Sequence, residues 1–127
     1  MIVVLDTCAV LWLTLEPESL SLKAHKAIAT ADELIVSSIS IWEIGLKATR
    51  NKIDLGTHFE DYVERLSMSS EIQILPVDHK MWMNSVLLDW KHRDPADRVI
   101  VALAEQFKAK LITDDVDINK FYELAIN

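Results

Sequence analysis

The sequence predicts an α/β fold: a single domain with a mostly parallel central sheet of four to five short strands flanked by helices. The first observation behind this prediction is that short apolar runs rich in β-branched residues alternate with longer segments of helical character. The second is the length of 127 residues, which suits one domain and includes no linker, repeat or low-complexity stretch. The third is a composition of 50% hydrophobic and 26% charged residues, which is ordinary for a globular chain.

In the first half of the chain, the sequence pattern predicts two strands and three helices. Residues 2–5 are continuously apolar, which is typical of a strand buried on both faces. Apolar positions about one turn apart indicate the helices, and serines stand where they can cap the amino ends of two of them. In order, we expect a strand at 2–5, a helix at 7–15, a helix from Ser19 or Ser21 to about 31, a strand at 34–36 and a helix from Ser37 or Ser38 toward 50.

The second half continues the alternation after a polar connection at 54–57. Asp78 and Asp94 stand where they can cap helices, and Pro95 fits the first turn of a helix. The segment 99–104 is apolar on every side, so its helix must be buried. In order, we expect a helix at 59–68, a strand at 72–75, a helix from 78 to about 91, a helix from 95 to about 108, a strand at 110–113, a short helix and an edge strand within 123–127.

The acidic balance of the chain limits the partners that it can bind. Its 20 Asp and Glu residues outnumber its 13 Lys and Arg residues and give a net charge of −7. Such a surface repels nucleic acid over most of its area, but it suits a basic partner or a divalent cation held by grouped carboxylates. Solubility alone is the alternative use of this charge.

Cysteine content and hydropathy indicate a cytoplasmic protein. The single cysteine, Cys8, cannot form an internal disulfide, and we expect it to be a small buried apolar residue. The amino end has no basic leader, so we expect no signal peptide. No run of about 18 apolar residues occurs, so we expect no membrane-spanning segment.

Carboxylates follow two of the predicted strands directly. Asp6 comes after the first strand, and Asp114, Asp115 and Asp117 come after the strand at 110–113. In parallel α/β sheets ligands bind outside the carboxyl ends of the strands, so these acids are candidates for a binding site. Capping of the following helix is the alternative for Asp6 and for one of the later aspartates, but three carboxylates exceed what one cap needs.

Two further acids lie on helices that are predicted to be buried. Glu43 interrupts an apolar stripe, where a charge is expected only when it is paired or bound to a cation. The alternative is a place at the edge of the stripe beside Lys47. Asp97 lies in the first turn of the apolar helix after Asp94, where closing a capping box is the alternative role.

The donor types favour Mg²⁺ or Mn²⁺ over zinc. Carboxylate oxygens suit hard cations, and neither the cysteine nor the histidines have the spacing of a zinc site. His25 and His58 give no functional signal. His79 and His92 lie near the ends of predicted helices, where we expect them at the surface.

Four segments of the chain carry a resemblance to a known family. They are Val-Leu-Asp6-Thr7 continued by Ala-Val-Leu-Trp12, the segment 36–47 with Trp42-Glu43, the segment 92–98 (His-Arg-Asp-Pro-Ala-Asp-Arg), and Leu-Ile-Thr113-Asp114-Asp115. In this order and at these separations, the sequence resembles the PIN-domain ribonucleases of the VapC toxin type over essentially its whole length. The resemblance implies one PIN-like nuclease domain over residues 1–127.

The resemblance also implies which residues form the active site. The catalytic, metal-binding acids of the family fall on Asp6, Glu43, Asp97 and Asp115. Asp114 and Asp117 rank below Asp115 but stay open as alternative ligands. Hydroxyl and capping residues expected to support the ligands are Thr7, Thr113 and Asp94. The main departure from the family is Cys8, where many relatives have His.

The activity implied by the resemblance is that of a Mg²⁺- or Mn²⁺-dependent endoribonuclease that serves as the toxin of a toxin–antitoxin pair. Its expected partners are RNA, a cognate antitoxin whose carboxyl-terminal segment covers the site, and a second copy in a homodimer. Interface candidates are the large apolar residues Trp42, Trp82, Met83 and Trp90, for which core packing is the alternative. Candidate phosphate contacts are Lys47, Arg50, Arg93 and Arg98, with Arg98 preferred; ordinary surface ion pairs are the alternative for them.

Two other kinds of protein remain as alternatives. The first is a catalytically silent PIN-like module that only binds a protein partner. The second is another acidic-pocket α/β protein, either a haloacid-dehalogenase-like phosphatase or a receiver domain. The phosphatase needs an Asp where Cys8 stands, and the receiver needs one at the end of the third strand, where Pro76 stands.

Overall fold

The central sheet contains five strands, all parallel, in the order β3-β2-β1-β4-β5. The computed structural model describes residues 1–127. The strands are β1 (Ile2–Leu5), β2 (Glu33–Ser37), β3 (Ile72–Leu75), β4 (Lys110–Ile112) and β5 (Ala125–Ile126). In the register of the sheet, Val4 of β1 lies beside Ile35 of β2 and Leu111 of β4. The central place of β1 puts the residue that follows it in the middle of the carboxyl edge.

Seven α-helices connect and cover the strands. They are α1 (Thr7–Leu15), α2 (Leu22–Thr30), α3 (Ile39–Thr49), α4 (Phe59–Met68), α5 (His79–Leu87), α6 (Pro95–Phe107) and α7 (Val116–Phe121), with a short 3-10 helix at Pro17–Ser19. The N-cap side chains that accept a backbone N–H are Asp6, Ser21, Asp78, Asp94 and Asp115. The predicted α/β fold with helices on both faces of a parallel sheet is confirmed.

Two hydrophobic clusters, one on each face of the sheet, form the core. Val3 and Leu5 of β1 face the cluster made with α1, α2 and α4, whereas Val4 faces the cluster made with α6 and α7. The middle of α6 is buried all round, from Val99 to Ala104, as its apolar sequence predicted. No helix combines the length and the apolar character needed to cross a membrane; the longest, α6, has 13 residues.

The predicted carboxyl end of α5 is wrong. We expected this helix to reach about residue 91, but it ends at Leu87, and residues 88–94 have no regular secondary structure. The backbone carbonyls of Ser85, Val86 and Leu88 accept hydrogen bonds from the Arg98 guanidinium instead of from N–H groups of a further helical turn. The helix α5 thus ends where its last carbonyls bond Arg98 of α6.

Candidate active site

Asp6 lies just beyond β1, in the middle of the carboxyl edge of the sheet. It caps α1, and its Oδ1 accepts a hydrogen bond from the Ala9 N–H at 2.8 Å. The residue is only 6% exposed. Burial, with smaller contributions from the charges of Asp114 and Asp97, raises the pKa of Asp6 from 3.8 to about 6. Capping accounts for one oxygen, but a neutral asparagine could cap equally well without the cost of a buried charge.

Glu43 on α3 is held beside α1 by hydroxyl groups. The buried Thr7 donates a hydrogen bond from Oγ1 to Glu43 Oε1, and Thr7 Oγ1 lies 2.9 Å from Ser40 Oγ. Burial raises the pKa of Glu43, while Thr7 and Lys47 lower it. Lys47 forms no salt bridge with Glu43. Ser40 was not predicted to belong to this site, although its i, i+3 spacing from Glu43 places both residues on one face of the helix.

Asp97 lies in the first turn of α6, and Asp94 caps that helix as predicted. The Asp94 Oδ1 accepts a hydrogen bond from the Asp97 N–H at 2.9 Å. Burial, with the charges of Asp94 and Asp115, raises the pKa of Asp97 from 3.8 to about 6. The Asp97 side chain thus carries an unfavourable charge close to other carboxylates.

His92 is part of this site, so the prediction that it is an ordinary surface residue is wrong. Its Nε2 lies 2.7 Å from Asp97 Oδ2, and its Nδ1 lies 3.7 Å from Asp117 Oδ2. The side chain is 21% exposed and stacks on Trp90, with 4.5 Å between ring centroids. The hydrogen bond with Asp97 raises the pKa of His92. Residues 88–94 are irregular, so they have no periodic pattern from which this contact could be predicted.

The carboxylates after β4 are arranged around Thr113. Asp115 caps α7, with its Oδ1 accepting from the Ile118 N–H at 2.9 Å, and its own N–H donates to Thr113 Oγ1 at 3.0 Å. The nearby Thr113 hydroxyl also lowers the pKa of Asp6. Asp114 is exposed but close enough to raise the pKa of Asp6. Both Asp114 and Asp115 therefore stay candidates for a ligand at this edge.

The predicted acids meet at the carboxyl edge of the sheet, where their charges act on one another. Asp97 raises the pKa of Asp6, and Asp115 raises that of Asp97. Glu43 joins the group through Thr7, the residue next to Asp6. No salt bridge with Lys or Arg neutralises any of these acids. The structure thus brings together acids that lie far apart in the sequence.

The donor set fits a hard divalent cation, although no three of the His, Cys, Asp and Glu side chains are arranged to hold one ion. Glu43, Asp97 and Asp115 each have one carboxylate oxygen engaged by a neighbour. Their second oxygens have no hydrogen-bond partner, and oxygen is the ligand atom that Mg²⁺ and Mn²⁺ prefer. Binding an ion here requires side-chain movement toward a shared centre.

Cys8 and three of the predicted phosphate contacts lie beside the acids. Burial, with the charge of Asp6, raises the pKa of the half-buried Cys8 thiol to about 11, so it stays protonated. Lys47 and Arg50 line, with Glu43, Leu46 and Lys52, a shallow cavity of about 190 Å³. Arg93 is exposed next to the cap of α6. The phosphate contacts of Lys47, Arg50 and Arg93 therefore stay predictions.

The predicted phosphate contact of Arg98 is corrected by the structure. Its guanidinium has five N–H groups, and all of them are used on backbone carbonyls. The acceptors are the carbonyl oxygens of Ser85, Val86, Leu88, Trp90 and His92, at 2.6–3.2 Å. Since no donor is left for a phosphate, Arg98 organises protein backbone instead.

Comparison with known protein families and relatives gives two matches in sequence. The PIN domain family matches residues 3–124. Ribonuclease VapC22 of Mycobacterium tuberculosis is 32% identical over 114 residues, which cover 89% of this chain and 86% of that protein.

Solved structures with the same fold include three bacterial examples. A toxin–antitoxin complex from Klebsiella pneumoniae matches with a TM-score of 0.67 and 20% identity, over 98% of this chain and 96% of that chain. VapBC2 from Rickettsia felis, bound to a promoter DNA fragment, matches with a TM-score of 0.67 and 18% identity, over 100% and 98%. The Mycobacterium tuberculosis toxin VapC20, which cleaves the sarcin–ricin loop, matches with a TM-score of 0.63 and 15% identity, over 93% of each chain.

Proposed function

The chain belongs to the PIN-domain family, and on that basis we propose that it is a Mg²⁺- or Mn²⁺-dependent endoribonuclease acting as the toxin of a toxin–antitoxin pair. Its relation to Ribonuclease VapC22 supports the nuclease activity. The observation that carries the metal dependence is the group of half-buried and buried acids at the carboxyl edge, none of them paired with Lys or Arg. Crowded carboxylates repel one another, and a divalent ion removes that repulsion.

The four acids would together form the metal site. Asp6, Glu43, Asp97 and Asp115 would hold the ion, with Asp114 and Asp117 as the alternatives to Asp115. When bound, a divalent ion lowers the pKa of water and offsets negative charge at the scissile phosphate. Thr7 would orient the Glu43 carboxylate through its hydroxyl group, and the Thr113 hydroxyl, which accepts from the Asp115 N–H, would position Asp115 near Asp6.

Substrate binding would use the basic residues that remain free. Lys47 and Arg50 border Glu43, and Arg93 is next to Asp94. We propose that each contacts a phosphate beside the scissile bond. Because the net charge is −7, these contacts are local and RNA binding depends on the metal. Attack by water and not by the ribose 2′-hydroxyl leaves 5′-phosphate and 3′-hydroxyl ends.

The protein partners that we propose for this chain are an antitoxin and a second copy of the chain. A similar fold occurs in a toxin–antitoxin complex from Klebsiella pneumoniae and in VapBC2 of Rickettsia felis, so we propose a cognate antitoxin for this chain. A homodimer is proposed because α5 exposes the apolar side chains of Trp82, Met83, Val86 and Leu87, and α3 exposes Trp42. Trp90, by contrast, is half-buried and packs between the rings of His92 and Phe121.

The second candidate function is a catalytically silent PIN-like module that only binds a protein. The observation in its favour is that no three ligand side chains are arranged to hold an ion. It predicts no binding of Mn²⁺ in calorimetry and no RNA cleavage.

The test of the nuclease proposal is incubation of the purified chain with mixed RNA in Mg²⁺, in Mn²⁺ and in a chelator. We expect endonucleolytic cuts that need the metal and carry 5′-phosphate ends, detected by ligation-based sequencing. Cuts that persist in chelator, or ends with a 2′,3′-cyclic phosphate, would contradict the proposal. The absence of cuts together with absent Mn²⁺ binding would select the silent module.

The stability of the metal-free protein should fall as the pH rises from 5.0 to 7.5. Asp6 and Asp97 have pKa values of about 6 when folded and an ordinary value of 3.8, so the folded protein binds more protons in this interval. The free energy of unfolding therefore decreases with pH there. The raised pKa of His92 acts in the same direction. Denaturant titration with and without Mg²⁺ measures this, and Mg²⁺ should restore stability more at pH 7.5 than at pH 5.0.

Replacing Thr7 by valine should weaken activity while the fold persists. The substitution removes the hydroxyl that bonds Glu43 and Ser40 but keeps the side-chain shape. We expect cleavage to fall by about 10- to 100-fold and the free energy of unfolding to fall by about 1–3 kcal/mol. Thr30→Val, on the exposed end of α2, is the matched control and should change neither. Full activity of Thr7→Val would show that Glu43 does not need this hydroxyl.

A further inference from the structure

The guanidinium of Arg98 organises the irregular segment 88–94 between α5 and α6. Its Nε donates to the Ser85 carbonyl at 2.8 Å. One terminal nitrogen donates to Trp90 and His92 at 2.6 and 2.8 Å, and the other to Val86 and Leu88 at 3.2 and 2.9 Å. One side chain thus binds five carbonyls spread over eight residues of backbone.

This arrangement depends on properties that only arginine has. The planar guanidinium presents five N–H donors in a fixed fork, whereas a lysine ammonium has three donors at one point. Arg98 also has no carboxylate partner, since it forms no salt bridge. Its charge acts instead on the carbonyl end of α5, where a cation is favourable. The contact is therefore directed at the backbone of the end of α5 and of the segment that follows it.

A stack of three rings connects the segment that Arg98 binds with α7 and the candidate active site. Trp90 stacks on Phe121 of α7 with 4.7 Å between centroids and an interplanar angle of 13°. On its other side Trp90 stacks on His92 at 4.5 Å and 21°. His92 Nε2 then reaches Asp97 Oδ2 at 2.7 Å. A continuous series of contacts leads from Arg98 to the carboxylate next to it in sequence.

We propose that Arg98 is a positioning residue that fixes the segment 88–92, so that His92, supported by Trp90, holds the Asp97 carboxylate in the orientation used for catalysis. This inference rests on the proposed function, because Asp97 matters only if the site is active. Arg98 acts on Asp97 indirectly, through His92. Loss of Arg98 should leave the ligands present but Asp97 free to rotate.

The experiment compares Arg98→Lys, His92→Gln and the double variant with the wild type. Arg65→Lys, on the exposed face of α4, is the matched control. Stacking above an indole shifts the His92 ring protons upfield, so proton NMR of the metal-free protein reports the position of His92 without relying on activity. We expect Arg98→Lys to lose this shift. We also expect it to lower the kcat of metal-dependent RNA cleavage by about tenfold, with the KM for RNA nearly unchanged.

The double variant tests whether Arg98 acts through His92. We expect Arg98→Lys combined with His92→Gln to lower kcat no further than His92→Gln alone, because two residues in one path are not additive. Full additivity, an unchanged His92 signal in Arg98→Lys, or reduced stability with unchanged kcat would each overturn the proposal. If Arg98→Lys does not fold, Trp90→Leu takes its place, and unchanged kcat in that variant would overturn the proposal equally.

Failure of the proposed function is distinguishable from failure of this inference. If the wild type cleaves no RNA, the nuclease proposal fails on its own evidence. The NMR shift then still decides whether Arg98 positions His92: loss of the shift in Arg98→Lys supports the positioning, and an unchanged shift refutes it.

Discussion

Replacing Asp6 by asparagine should abolish metal-dependent cleavage while making the metal-free protein more stable at pH 7.5. The Asp6 carboxylate is almost fully buried, and its pKa of about 6 records the cost of keeping it charged. Asparagine removes that cost and retains the oxygen that caps α1, since Asn and Asp are equally good caps. We expect a gain of as much as about 3 kcal/mol, from about two pKa units at 1.4 kcal/mol each.

The loss of activity in Asp6→Asn should exceed the effect of removing a residue that only supports a ligand. Such supporting residues are worth about 10- to 100-fold, so we expect cleavage to fall by more than about 100-fold. RNA cleavage and denaturant unfolding measure the two effects in one preparation. Asp61→Asn, an exposed acid on α4, is the control that should leave both unchanged. A variant that is less stable and inactive would indicate a structural role for Asp6, and an active variant would remove it from the site.

Replacing Leu111 by alanine should destabilise the fold by about 2–5 kcal/mol. Leu111 is completely buried in β4, beside Val4 of β1 and Ala125 of β5. The substitution leaves a cavity under the strand that leads to Thr113 and Asp115. Part of the candidate site therefore depends on this packing.

Leu22→Ala is the matched control for Leu111→Ala, because it makes the same change at a side chain that is 89% exposed. We expect the control to stay within about 0.5 kcal/mol of the wild type. Equilibrium unfolding in urea measures both variants. Equal effects at the two positions would mean that β4 is not packed as described.

The elements that sequence predicted well are those with strong local signals. The helices at 7–15 and 59–68 and the strand at 72–75 have the bounds that were predicted. Capping residues explain part of this success, because Asp94 and Pro95 define the start of α6 by their own chemistry. Asp6 and Asp115 also both follow strands that proved to be neighbours in the sheet, so their meeting was predictable from topology.

The parts that sequence did not predict depend on contacts between distant residues. The carbonyls at the end of α5 bond Arg98, which lies thirteen residues beyond the carbonyl that its Nε binds. The contact of His92 with Asp97 occurs together with the stacking of His92 on Trp90. Both rings lie in an irregular segment, whose sequence has no periodic pattern that could predict the contact. The hydrogen bonds of Thr7 to Ser40 and Glu43 likewise join two helices across 33 and 36 residues.

The most direct test of a shared metal site is a crystal structure of the chain grown with Mn²⁺. The ion would be located by its anomalous scattering. We predict one strong anomalous peak, or two close together, at the carboxyl edge of the sheet. The ligand oxygens should come from Asp6, Glu43, Asp97 and one of Asp115, Asp114 and Asp117. A peak elsewhere, or no peak among these acids at saturating Mn²⁺, would show that their proximity does not serve a metal ion.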